Sequence, residues 1–177
     1  MGRSYAIHRF IHALIAAGLA IVAFTPLAAH AGDIKATRSA GDYRIELNVL
    51  NAEPFAGAGM AMGGSMSGHA GMMVVKGGAA PVEAGAASHP NHHLVVHVYD
   101  RASGKAATNA DVTIAYVPLD KDGRAAGPQM AVPVVVMEAM GKGPGSTHYG
   151  NNVTMSPGAY RVDVTVNGAK ASFSIKL

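Results

Sequence analysis

The chain has 177 residues, enough for one domain with appendages. It is 49% hydrophobic and only 14% charged, with 22 Gly, 10 Met and no Cys. The lack of Cys excludes disulfide scaffolds, thiolate zinc sites, iron–sulfur clusters and cysteine nucleophiles. The formal charge is +3, but the first 31 residues hold two of the 14 basic residues and none of the 11 acidic ones. The rest carries +1 and has no clustered Lys and Arg, so no nucleic-acid partner is expected.

The N-terminus is typical of a secretory signal peptide. Arg3 and Arg9 precede an apolar run over residues 11–27. The run ends in Ala29-His30-Ala31, which places small residues at the two positions that signal peptidase inspects. We therefore predict a signal peptide over residues 1–31, cleavage before Gly32, and a periplasmic location.

Two alternatives remain open for the N-terminus. An uncleaved membrane anchor would need about 20 apolar residues, whereas His12 and Pro26 bracket a shorter run. Cleavage after Ala29 instead would make His30 the first residue, able to chelate copper through its amine and its ring. N-terminal sequencing that finds Gly32 first would exclude this second alternative.

Residues 32–177 are predicted to form a single domain of short strands. Apolar and polar residues alternate over residues 42–50, the period of a half-buried strand. Asn167-Gly168 lies between two alternating runs and predicts a tight hairpin. No stretch of this part shows a helical period. In chain order, the predicted strands span residues 42–50, 92–99, 112–117, 130–137, 148–155, 160–166 and 171–177.

About seven strands joined by Gly, Pro and Asn turns indicate an all-β fold, an immunoglobulin-like antiparallel β-sandwich. A small closed barrel is the alternative. Between residues 56 and 88 the regularity gives way to a low-complexity insert rich in Gly, Ala, Met and Ser, which we expect to be largely mobile.

The insert carries the first group of candidate metal ligands. Thioether and imidazole together favour copper, particularly Cu(I), because soft sulfur selects the soft ion. A compositionally biased linker with Met as a neutral filler is the alternative. The candidate ligands of the insert are Met60, Met62, Met66, His69, Met72 and Met73.

A second group surrounds the strand over residues 92–99. His93 and His97 share a strand face, but four residues separate them by roughly 13 Å at about 3.3 Å per residue. Both could bind one ion only if a bulge intervenes or a partner strand lies between them. The alternative is that His97 is a hydrogen-bonded, partly buried residue and that residues 89–93 are an exposed loop.

The third group is the most specific. Met137 and Met140 precede a Gly-rich loop, and His148 follows it, so two thioethers and an imidazole lie at the ends of adjacent predicted strands. A hairpin of this kind could present Met140 and His148 to one ion. Ordinary packing is the alternative reading, and Met155, in an alternating strand, is expected in the core.

The segment His148-Tyr149-Gly150-Asn151-Asn152-Val153-Thr154-Met155, with Tyr160-Arg161-Val162 after it, resembles the His-Tyr-Gly-x-Asn-x-x-Met and Gly-x-Tyr-x-Val signature of the Tpd family. These are periplasmic proteins associated with high-affinity iron transport. The resemblance implies an immunoglobulin-like fold and a His/Met site for copper or iron. It implies His148 and His93 as ligands, with Met137 or Met140 as the methionine. The chain also resembles, more weakly, the YtkA-like domains.

The leading hypothesis is therefore a periplasmic metal-binding protein for uptake, delivery or resistance. Its ion would be copper, Cu⁺ or Cu²⁺, with Fe²⁺ as the second candidate, and its partner a membrane transporter or a metalloenzyme-assembly protein. A homodimer is a further expectation. Zinc would gain nothing from the methionines. An enzyme is not expected, because no Ser–His–acid or paired-carboxylate pattern is visible. The alternative is a non-catalytic structural or interaction module of a membrane-associated complex.

Overall fold

The structure, a computed structural model, describes residues 34–53, 55–56, 73–83 and 85–177. The predicted signal peptide lies outside the described residues, as do Met60, Met62, Met66, His69 and Met72. In the described part, the strands are β1 (Ile34–Ala40), β2 (Tyr43–Asn51), β3 (Phe55–Ala56), β4 (Met73–Gly78), β5 (His92–Asp100), β6 (Val112–Leu119), β7 (Met130–Val132), β8 (Val135–Ala139), β9 (His148–Val153), β10 (Ala159–Val166) and β11 (Ala169–Lys176).

These strands form two sheets, which confirms the predicted all-β sandwich. Within the described ranges, the larger sheet has the order β1-β2-β5-β9-β8-β4-β3 and the smaller one the order β11-β10-β6-β7. Neighbouring strands are antiparallel except for the two-residue β3, which runs parallel to β4. The regular structure besides strands in this part of the chain is one 3-10 turn, Pro144–Ser146. No described helix is therefore long and apolar enough to cross a membrane.

Within the described residues, the structure has four strands more than the seven predicted. One is the two-residue β3, which is too short to show any alternation, and the other three have local reasons. β1 lies at a sheet edge and is mostly exposed, so it lacks the apolar alternation that marks a strand. β4 falls inside the insert that was predicted to be irregular and mobile. The predicted strand over residues 130–137 is two strands in different sheets, β7 and β8. Pro133 separates them because it has no N–H to continue a ladder.

The main core lies between the two sheets. On β2, every second residue is buried, namely Ile45, Leu47 and Val49, as the alternating pattern predicted. β10 and β11 bury their alternate residues against this face in the same way, and Met155 lies in the same core. Apolar burial at about 25 cal/mol per Å² is the main stabilising contribution here.

The β10–β11 hairpin forms at the predicted Asn-Gly turn. Asn167 and Gly168 have φ values of 46° and 85°, both in the left-handed region, and Val166 pairs with Ala169 across the turn. Two positive φ angles are the requirement of a type I′ turn, whose twist matches that of the flanking strands. Asn and Gly are the residues that adopt this conformation at the lowest cost.

A second buried cluster lies on the opposite, outer face of the larger sheet. It consists of Phe55, Val135 and Met137, with Met73 and Val75 packed against it. Side chains alternate between the two faces of a strand, so residues that do not face the main core face this cluster. The outer face is where the predicted ligands of β5, β8 and β9 lie.

Gly150 allows β5 and β9 to approach each other on this outer face. It pairs with Val95, and a Cβ at position 150 would lie 1.9 Å from the carbonyl oxygen of Leu94. Real Cβ atoms do not approach backbone atoms so closely, so any other residue would push the two strands apart. This close contact brings the histidines of β5 and β9 together.

Candidate metal centre

Three of the described histidines cluster on the outer face of the larger sheet. His93 and His97 lie on β5, and His148 begins β9, the next strand. The ring centroid of His148 lies 6.4 Å from that of His93 and 5.3 Å from that of His97. His93 and His97 are separated along β5, as predicted, but the imidazole of His148 on the neighbouring strand lies close to both of them.

Two of these imidazoles are fully buried. His93 is 0% exposed and His148 is 2% exposed, whereas His97 is partly exposed. The prediction that residues 89–93 form an exposed loop is therefore wrong for His93, which belongs to a buried strand. His89 itself is exposed. The same alternative described His97 as partly buried and hydrogen-bonded. This agrees with the structure, in which His97 is partly buried and hydrogen-bonded to the backbone of Thr147.

The Nδ1 atoms of the two buried rings have hydrogen-bond partners, and the Nε2 atoms do not. His93 Nδ1 lies 2.9 Å from Oδ1 of Asn152, and His148 Nδ1 lies 2.8 Å from the carbonyl oxygen of Ser146. Among the described residues, neither Nε2 atom has a hydrogen-bond partner. Since a carbonyl oxygen only accepts, the His148 proton is on Nδ1, and its Nε2 carries the lone pair in the neutral ring.

Burial keeps these rings neutral. Desolvation lowers the pKa of His93 from its usual 6.5 to about 4, against a smaller raising effect of the Asn152 hydrogen bond. Desolvation is also the main cause that lowers the pKa of His148 and the pKa of His97. Neutral imidazole is the form that binds metal ions, so this cluster is ready for a ligand at neutral pH.

Met137 adds a thioether to the same sheet face. It is 0% exposed and pairs directly with His148 across β8 and β9. Directly opposed residues have Cβ atoms about 4.5–5.5 Å apart on one sheet face, so the Met137 side chain lies next to that of His148. Met73 is partly buried against the apolar cluster that contains Met137, whereas Met140 lies in the turn after β8. The sequence favoured Met140 as the methionine next to His148. The structure instead pairs Met137 with His148.

Spacing limits how the histidines could share an ion. A ring nitrogen bound at about 2.0–2.1 Å places the ring centroid about 3.2 Å from the ion, so two such rings lie at most about 6.4 Å apart. The His97–His148 pair is well inside that limit, and the His93–His148 pair is at it. In the described ranges, no group of three or more His, Asp or Glu side chains is arranged to hold an ion. Met137 pairs with His148 on the neighbouring strand.

Aromatic residues close both ends of the cluster. Phe55 meets His93 edge-on at 5.6 Å, and Tyr99 stacks on His97 at 6.3 Å. The guanidinium of Arg44 lies 4.1 Å from the Tyr99 ring centre and also pairs with Glu46, the residue opposite His97 on β2. The cluster therefore runs from a partly exposed end at Tyr99 to a buried end at Phe55.

Sequence reasoning missed Phe55, Ser146 and Asn152. Asn152 could have been identified from the sequence, because residues 148, 150 and 152 share a face of a predicted strand and residue 148 was already a candidate ligand. Phe55 belongs to a two-residue strand that pairs with β4. No alternation marks a strand of that length.

No family model matches the chain, and a search of curated proteins gives no match. The resemblance to the Tpd family therefore rests on the motif residues alone. A search of solved structures finds a crystal structure of "as isolated" FetP from a uropathogenic E. coli strain, recombinantly expressed in the periplasm of E. coli. The two chains are 15% identical, with a TM-score of 0.46 over 82% of this chain and 95% of FetP.

Proposed function

We propose that this protein binds a copper ion outside the cytoplasm through His93, His148 and Met137, and passes it to a membrane transporter or a metalloenzyme-assembly partner. The observation that carries this proposal is the pair of buried Nε2 atoms. Neither has a hydrogen-bond partner among the described residues, and a buried methionine, Met137, pairs with His148 across β8 and β9. A buried polar atom without a partner costs about 1–3 kcal/mol, and a bound ion would offset that cost.

The ligand types favour copper over the other candidate ions. Thioether sulfur is a soft ligand that selects Cu(I), and imidazole binds Cu(I) and Cu(II) alike. Fe²⁺ and zinc gain little from a thioether. The carboxylate of Glu46 faces His97 from the neighbouring strand, but it is already paired with Arg44. We therefore propose Cu(I) as the preferred ion and Fe²⁺ as the weaker competitor.

The position of the cluster supports a carrier rather than a catalyst. The ligands lie on the outer face of a sheet, outside the main core, and His97 gives the cluster a partly exposed end. An ion could enter and leave there without unfolding of the sandwich. The export step of this proposal rests on the signal peptide predicted for residues 1–31.

Competition with a chromogenic Cu(I) chelator under reducing conditions tests the proposal. The exported protein should withdraw at least one equivalent of Cu(I), and it should bind Fe²⁺ more weakly. Met137→Leu should lower the Cu(I) affinity about tenfold, or about 1.4 kcal/mol. It keeps the core volume, since a Leu–Met exchange usually costs less than about 1.5 kcal/mol of stability.

Met130→Leu is the matched control. Met130 is partly buried at the edge of the smaller sheet, against the main core and away from the histidines. Its replacement should leave Cu(I) affinity unchanged. An absence of any competition for Cu(I) would leave the interaction module as the better hypothesis. Equal affinities of the two variants would exclude Met137 as a ligand.

A further inference from the structure

Two adjacent buried asparagines fasten irregular segments to β9. Their side chains point to opposite faces of the strand, as neighbouring residues do. Asn151 donates to the carbonyl oxygens of Ala80 and Pro133 at 3.1 and 2.8 Å and accepts from the N–H of Val82 at 2.8 Å. Asn151 therefore ties the chain around Val82 to the sheet.

Asn152 makes a different set of contacts, on the side of the metal centre. Its Nδ2 donates to the carbonyl oxygens of Glu53 and Val82 at 2.7 and 2.8 Å. Its Oδ1 accepts from the N–H of Glu53 at 3.1 Å and lies 2.9 Å from Nδ1 of His93. One carboxamide thus joins two backbone segments and an imidazole.

These backbone partners fix the orientation of the amide. If the amide were reversed, its oxygen would face two carbonyl oxygens, and its NH₂ group would face the N–H of Glu53. Backbone groups cannot exchange their donor and acceptor roles, so Oδ1 must point to His93. An amide oxygen only accepts, and His93 must therefore carry its proton on Nδ1.

We propose that Asn152 is a positioning residue that holds His93 in the tautomer whose Nε2 keeps its lone pair. The backbones of Glu53 and Val82 dictate this tautomer through the amide. Free histidine in water prefers the proton on Nε2, which would block that atom as a ligand. The role of the lone pair as a metal ligand rests on the proposed function, whereas the tautomer itself does not.

The ¹⁵N spectrum of the imidazoles in the metal-free protein tests the tautomer directly at neutral pH. In the wild type, His93 should carry its proton on Nδ1 and none on Nε2. Asn152→Leu removes the acceptor and should give a mixture of tautomers. A proton on Nε2 of His93 in the wild type would overturn the proposal, and this result needs no variant to fold.

Cu(I) affinity provides the second readout, with Asn151→Leu as the matched control. That variant also loses several buried hydrogen bonds, but its side chain bonds to backbone groups rather than to an imidazole. Asn152→Leu should lower the affinity about 10–100-fold, the usual effect of removing a partner of a metal-bound His. Asn151→Leu should leave it near the wild-type value. Equal effects of the two Leu variants on tautomer and affinity would reduce Asn152 to a structural role.

A failure of the copper proposal can be distinguished from a failure of the tautomer proposal. If no variant and no wild-type protein bound Cu(I), the copper proposal would fall. The tautomer of His93 and its dependence on Asn152 would still be read from the metal-free spectra. The two proposals are therefore tested separately.

Discussion

Replacement of His148 with glutamine should lower the Cu(I) affinity by more than about 100-fold, since loss of a ligand should exceed the roughly 10–100-fold cost of losing a ligand's hydrogen-bond partner. His148 is the imidazole that lies near both others, and Met137 pairs with it across β8 and β9. Without His148, no imidazole in the described part of the chain lies next to both His93 and Met137, the other two proposed ligands. Chelator competition under reducing conditions measures the change.

His92→Gln is the control for this variant. His92 is partly exposed and pairs with Val153 at the start of β5, and its side chain points to the face opposite that of His93. The same substitution there should leave the affinity unchanged. Thermal unfolding should show both variants folded in the metal-free state. Similar affinities of His148→Gln and His92→Gln would remove His148 from the site.

The metal-free protein should lose about 3 kcal/mol of stability as the pH falls from about 6.5 to about 4, through His93 alone. The folded protein holds the pKa of His93 near 4, whereas the unfolded chain has the ordinary value of 6.5. Between these values the unfolded chain binds the extra proton, so acid favours unfolding. The stability associated with the neutral His93 ring is fully present above pH 6.5. The lowered pKa values of His148 and His97 act in the same direction.

Urea unfolding at a series of pH values measures this effect. The free energy of unfolding should decrease from pH 7 to pH 4.5 in the wild type, and the slope should be smaller in His93→Gln. His92→Gln should retain the wild-type slope. Comparison of variants at each pH cancels the carboxylates, which also titrate at the acidic end. A wild-type slope in His93→Gln would show that His93 is not held neutral by burial.

The lowered pKa values also bear on the proposed function. A proton competes with a metal ion for the Nε2 lone pair only where the ring can be protonated. For His93 this competition begins near pH 4 rather than near pH 6.5. Copper binding should therefore persist in mildly acidic surroundings.

The strands that face the main core could be predicted from the sequence because their alternation is regular. Residues 42–50 and 160–166 show apolar residues at every second position, and the structure buries all of those residues except Tyr43, which is partly buried. Strands without that signal were missed, namely the exposed edge strand β1, the two-residue β3, and β4, which lies in the low-complexity insert. Pro133 lies inside the single strand predicted over residues 130–137, and nothing in the sequence showed that the chain changes from one sheet to the other there.

The candidate site could be predicted only in part. His93 and His148 were named from the residues and from the family resemblance. The choice between Met137 and Met140 depends on the register of β8 against β9, and the Gly-rich loop between them specifies no turn type. The fixed orientation of Asn152 depends on partners 99 and 70 positions away in the chain. Contacts at that range are set by the tertiary fold and leave no local pattern.

X-ray absorption at the copper edge of the Cu(I)-loaded protein identifies the atoms that bind the ion. We expect imidazole nitrogen and one thioether sulfur in the first coordination shell, with the sulfur lost in Met137→Leu and retained in Met130→Leu. A shell of sulfur alone that survives Met137→Leu would place the ion on other methionines and contradict the proposed site.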